Sequence, residues 1–163
     1  MAYFRKLSLT VATLLAVLGA VRAEAADPPA DICSLLPPAE VSKTLEKSYE
    51  APQKSVAPRP FANTAAGTDC TYHSKNGANL LFRVYVDPSP AAAAELFAKL
   101  AKFFGAPSPV AGLGDEAYFD ESHALHVRKG KVRYYLNLDT PDNSTPAVTK
   151  QVIYLARAVA GRV

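Results

Sequence analysis

Residues 112–135 read GLGDEAYFDESHALHVRKGKVRYY and gather Asp115, Glu116, Asp120, Glu121, two histidines and four cations. Three chemistries could be built from such residues. Histidines three apart, as His123 and His126 are, share one face of a helix and could chelate a metal ion there. Opposed acids could supply a general acid and a base or nucleophile across a cleft. Cations interleaved with tyrosines could hold an anionic ligand, a lipid headgroup or an acidic partner.

The local pattern decides among them. Lys129-Gly130 lies between two runs of strong β character, with Leu125 and Val127 alternating with His126 and Arg128. On a strand, His123 and His126 point to opposite sides, so one ion bound by both is not expected. With Lys129-Gly130 as the turn, Val127 faces Val132, Leu125 faces Tyr134 and His123 faces Leu136, and that face is core. The other face carries His126, Arg128, Lys131, Arg133 and Tyr135, with Arg128 and Lys131 directly opposed. Arg83 and Tyr85 of an earlier strand could extend it. These seven residues are the candidate ligand-binding set. The acids fall near strand ends and turns, where acids are common, and His123 beside Asp120 or Glu121 reads as a surface ion pair. Gly112-Leu113-Gly114 precedes a strand rather than a helix, which suits a tight turn and not a nucleotide loop. Asn143-Ser144-Thr145 fits a glycosylation sequon but reads as a helix cap. No nucleophile elbow, phosphate loop or zinc-protease helix occurs. No catalytic residue, metal ligand or cofactor is assigned.

The elements that would position this stretch begin with a leader. Arg5 and Lys6 precede an apolar run from Leu7 to Val21, and Ala23-Glu24-Ala25 provides a small-residue cleavage site. This is the layout of a secretory signal peptide over residues 1–25, with a run of about 15 residues, short of a membrane span. Cys33 is too far past Ala25 to be a lipid-attachment cysteine. The expected product is a periplasmic or secreted domain over 26–163, with no transmembrane segment after cleavage. Loss of Arg5, Lys6, Arg22 and Glu24 lowers the formal net charge from +3 to +1. The basic balance therefore gives no reason to expect nucleic-acid binding. An exported chain with two cysteines implies a Cys33–Cys70 disulfide. It would close a loop of about 38 residues, worth roughly 4 kcal/mol on the chain-entropy model.

Pro37-Pro38-Ala39-Glu40-Val41 reads as a helix start, running to about Lys47 with Leu36, Val41 and Leu45 on its apolar face. Ala51 to Gly67, rich in Pro, Ala and small polar residues, reads as a long surface loop. Cys70 to Val86 is a hairpin. A loop at Lys75-Asn76-Gly77, with Gly77 left-handed, pairs Tyr72 with Leu80 and Cys70 with Phe82 and collects the apolar side chains on one face. Ser89 caps a second helix whose stripe is Ala93, Leu96, Phe97, Leu100 and Phe104, with Gly105 after it. Residues 106–109 read as a loop. Thr145-Pro146 opens a last helix to about Ala160, lined by Val148, Val152, Leu155 and Val159. The order is helix, two strands, helix, three strands, helix. It predicts an α+β fold with an antiparallel sheet of about five strands and the helices packed on one face. A helix-plus-hairpin unit occurs twice in this order.

Ile32-Cys33-Ser34-Leu35-Leu36 ahead of Glu40-Val41, then Cys70-Thr71-Tyr72, then Gly112-Leu113-Gly114-Asp115-Glu116-Ala117 resembles a group of small bacterial exported proteins and lipoproteins of unknown function. They are similar in a C-x-L-L-x-x-x-E-V helix start, a second cysteine and a G-L-G-D-x-A segment. Pro37 stands where that group has a Thr or Ser cap. The resemblance implies export and brings no catalytic residues. Together these readings lead to a non-catalytic exported domain, binding an anionic ligand or an envelope protein through its open sheet face or the 51–67 loop. A metal-dependent or hydrolytic enzyme and a structural envelope component are the alternatives.

Overall fold

The computed structural model describes residues 28–75, 77–105 and 107–163. The expected leader over 1–25, the mature start near Ala26, and Asn76 of the hairpin loop lie outside the described residues. A short 3-10 turn over Ile32–Leu35 leads into helix α1, Pro38–Leu45. Pro38 occupies the first helical position and Glu40 the first turn, where the helix dipole favours an acid. Helices α2 (Pro90–Phe103) and α3 (Pro146–Ala160) each begin with a proline behind a side-chain cap. Ser89 Oγ accepts from the Ala92 amide, and Thr145 Oγ1 from that of Val148.

The strands are β1 (Gln53–Ala57), β2 (Gly67–Tyr72), β3 (Asn79–Val86), β4 (Ser108–Pro109), β5 (Glu116–Phe119), β6 (Leu125–Lys129) and β7 (Val132–Asp139). They form one antiparallel sheet in the order β1-β2-β3-β7-β6-β5-β4. The α+β class is as expected, but the sheet has seven described strands and not about five. The two extra strands are its edges. β1 lies in the 51–67 stretch read as loop, and four of its five residues are exposed, so it carries no alternating pattern. β4 is two residues long and includes Pro109, which only an edge position tolerates well.

The β2–β3 register pairs Cys70 with Phe82 and Tyr72 with Leu80, and Gly77 has φ +85°. The β6–β7 register differs from the expected one. Lys129 pairs with Val132, Val127 with Tyr134 and Leu125 with Leu136, so the turn is Gly130-Lys131. Gly130, at φ +55°, takes the first loop position, where primed two-residue turns place glycine. Arg128 consequently opposes Arg133 rather than Lys131. The pairing moved by two residues, an even number, so the side chains of β6 and β7 stay on their expected faces. His123, expected in the core opposite Leu136, instead lies exposed ahead of β6, and Leu125 takes that place.

One face of the sheet forms the main core. Cys70, Tyr72, Leu80, Phe82, Leu125, Val127, Tyr134 and Leu136 pack with Val41 and Leu45 of α1 and Val152, Leu155 and Val159 of α3. The buried hydroxyl of Tyr134 donates to the Ala156 carbonyl at 2.7 Å. That of Tyr72 donates to the Leu36 carbonyl. Cys33 and Cys70 form the disulfide, with Cα atoms 5.7 Å apart, and tie the turn before α1 to β2.

The helices do not share that face, contrary to expectation. The chain leaves β3 at the middle of the sheet and must reach β4 at its far edge. α2 makes this crossing over the opposite face, where Phe97 meets Tyr118 and Phe104 meets His126. The helix-plus-hairpin repetition therefore extends to the strand order only, since α1 and α2 lie on opposite faces. Among the described residues no helix is long and apolar enough to cross a membrane.

Candidate functional site

Strand alternation places two rows of side chains across the face beneath α2. In the first row Asp69, Arg83, Tyr135, His126 and Tyr118 are successive cross-strand partners. In the second row the succession is Tyr85, Arg133, Arg128 and Glu116. Directly opposed side chains on a sheet come within contact distance, so each row behaves as a ladder.

The first ladder alternates charge and aromatic surface. Arg83 makes a two-pronged ion pair with Asp69, Nε to Oδ1 at 2.5 Å and Nη2 to Oδ2 at 2.7 Å. This hydrogen bonding holds the guanidinium charged over a raised pH range. Its carbon lies 5.2 Å from the centre of the Tyr135 ring, within cation–π range. The His126 ring is stacked between Tyr135, at 5.3 Å and 19°, and Tyr118, at 4.8 Å and 11°.

His126 is oriented by Asp120, the carboxylate that opens the turn between β5 and β6. His126 Nε2 lies 2.7 Å from Asp120 Oδ2, and both residues are buried. The other oxygen of Asp120 accepts from the Ser122 amide and hydroxyl and from the Ala124 amide. Burial alone would raise the Asp120 pKa. The hydrogen bonds from His126, Ser122 and Ala124 outweigh it and hold the carboxyl down at about 2. The expected surface pair of His123 with Asp120 or Glu121 is not what forms. His123 is an exposed turn residue with φ +60°, and Asp120 pairs with His126 instead.

The second ladder is anchored by Arg133, which is 3% exposed. It forms a two-pronged pair with buried Asp87, Nε to Oδ2 at 2.5 Å and Nη2 to Oδ1 at 3.0 Å. Its guanidinium carbon lies 4.9 Å from the Tyr85 ring centre. The Tyr85 hydroxyl donates to the Pro58 carbonyl at 2.8 Å and so ties the 58–61 segment down over the sheet. Burial pushes the hydroxyls of Tyr85, Tyr118 and Tyr135 up, so all three are neutral around neutral pH.

Between these rows, the last turns of α2 and the 58–61 segment lies a cavity of about 130 Å³. Its polar lining is Arg59, Arg83, His126 and Arg133, and its apolar lining includes Phe61, Tyr85, Phe97, Leu100, Phe104 and Tyr135. None of its described lining residues is a carboxylate, serine, threonine or cysteine. Five of the seven candidate residues meet here: Arg83, Tyr85, His126, Arg133 and Tyr135. Arg128 does not. It is drawn to the sheet end by Asp115, at 2.7 Å, and Glu116, at 3.0 Å. Lys131 lies in the β6–β7 turn, and its carbonyl accepts from the Asp87 amide.

The open cationic face expected from the sequence is therefore corrected in two ways. α2 and the 58–61 segment cover it, and Asp69, Asp87, Asp115 and Glu116 compensate its arginines. The sequence reading also missed Arg59, an exposed residue at the cavity rim with no ion-pair partner among the described residues. Its one signal was its place in the 51–67 segment. Among the described residues no group of three or more His, Cys, Asp or Glu side chains could hold a metal ion. No family model, no curated protein and no solved structure matches the chain.

Proposed function

We propose that the chain is a non-catalytic exported binding domain, and that the cavity beneath α2 takes a small anionic ligand. The observation that carries this is the lining. Arg59, Arg83, Arg133 and His126 come from three strands and one loop to a single aromatic-walled space with no carboxylate among its described lining residues. Sites of this kind, concave and mostly apolar with a few convergent polar groups, are the usual form of small-molecule sites. The Cys33–Cys70 disulfide supports an oxidising compartment, periplasmic or extracellular. An enzymatic reading would use His126, oriented by Asp120, as a general base. The described lining residues include no Ser, Thr or Cys, and the convergence of cations on an aromatic wall is what favours binding. A thermal-shift panel of small organic and inorganic anions tests it. At least one should raise the Tm of the wild type, and Leu100→Trp, which fills the cavity, should abolish the shift. Equal shifts in both proteins would refute the site.

A further inference from the structure

Resting on that binding reading, we infer that the ligand is an aryl monocarboxylate: one aromatic ring held among the cavity's aromatic side chains, with its carboxylate at Arg59. Size sets the first limit. A dry apolar cavity of about 150 Å³ accommodates benzene. The space here is about 130 Å³, close to what one six-membered ring fills.

The walls set the second. Phe61, Phe97, Phe104, Tyr85 and Tyr135 surround this space. Aromatic side chains take a further ring edge-to-face or offset, with a gain beyond simple area burial. The neutral tyrosines add no charge to repel it.

Charge sets the third, and it fixes the direction of binding. Arg83 and Arg133 line the inner part, but Asp69 and Asp87 already neutralise them through two-pronged pairs. They polarise the inner wall without a net charge to offer. Arg59 is the lining cation with no ion-pair partner among the described residues, and it is exposed at the rim. A single lining arginine without a carboxylate partner, among the described residues, matches a ligand with a single carboxylate. A phosphate, which carries more than one negative charge at neutral pH, would bring in charge beyond what Arg59 pairs. Phe103, 73% exposed beside it, gives the rim an apolar collar. The ring therefore enters first and the carboxylate stays outward.

Calorimetric titration of the oxidised domain with phenylacetate, benzyl alcohol, hexanoate and inorganic phosphate tests this, with Leu100→Trp as the location control. Phenylacetate should bind most tightly, and Leu100→Trp should abolish it. Arg59→Gln changes only an exposed side chain and should weaken phenylacetate about 10-fold while leaving benzyl alcohol unchanged. Phosphate or hexanoate binding as tightly as phenylacetate would overturn the ligand class. So would an equal effect of Arg59→Gln on phenylacetate and benzyl alcohol. If hexanoate or phosphate binds in a Leu100-dependent way while phenylacetate does not, the class falls and the anion-binding reading stands. If only benzyl alcohol does, both fall. If none binds in that way, both fall. Should Leu100→Trp fail to fold, Phe104→Trp at the half-open rim replaces it as the location control.

Discussion

Asp120 shows how much one side chain can organise. One oxygen fixes the 120–124 turn and the other orients His126, which stands between two tyrosine rings. Its pKa is held below the unfolded value, so it stabilises the fold fully above about pH 4 and loses that contribution as pH falls through about 2. The shift corresponds to about 2 kcal/mol. Acid unfolding of Asp120→Asn should be correspondingly flatter between pH 4 and 2, and the variant less stable at neutral pH. An unchanged acid profile would contradict this account of the carboxylate. At this scale the sequence was half legible. Period-two alternation put Arg83, Tyr85, His126, Arg133 and Tyr135 on one face, and the shifted β6–β7 pairing left them there. Their counter-ions were not legible. Asp69 is the exception, because the expected β2–β3 register already sets it opposite Arg83, whereas Asp87 and Arg133 are 46 residues apart in the chain.

At the scale of elements, helix caps and the β2–β3 register were readable because each rests on local chemistry: Ser89 and Thr145 as caps, Gly77 as a left-handed turn residue. The edge strands were not. β1 buries only Ala57, and β4 holds a proline, so neither shows the hydrophobic rhythm that marks a strand. The disulfide was legible from the expected compartment and the cysteine count. It joins an eight-residue helix, too short to be stable alone, to the sheet through the turn ahead of it. Replacing Cys33 and Cys70 together by serine should lower stability by roughly 2–4 kcal/mol. Denaturant unfolding of the oxidised and double-serine proteins measures this, and equal midpoints would contradict the tie.

At the scale of the whole molecule, the chain's path determines what the sheet can do. An antiparallel sheet with every helix on one side would leave its polar face to solvent. Here the crossing from β3 to β4 carries α2 over that face and converts an apparent cationic surface into a roofed, charge-compensated cavity, with Arg59 at its rim the lining arginine that has no carboxylate partner among the described residues. The apolar stripe of α2 was legible, but the face it would cover was not, because amphipathicity gives a helix a buried side without saying which surface buries it. The most direct test is an amide-resolved NMR titration of the folded domain with the small-anion panel. Perturbations should cluster on Phe61, Tyr85, Phe97, Phe104, His126 and Tyr135, around the cavity. Perturbations confined to the α1–α3 face or to β1 would contradict the account.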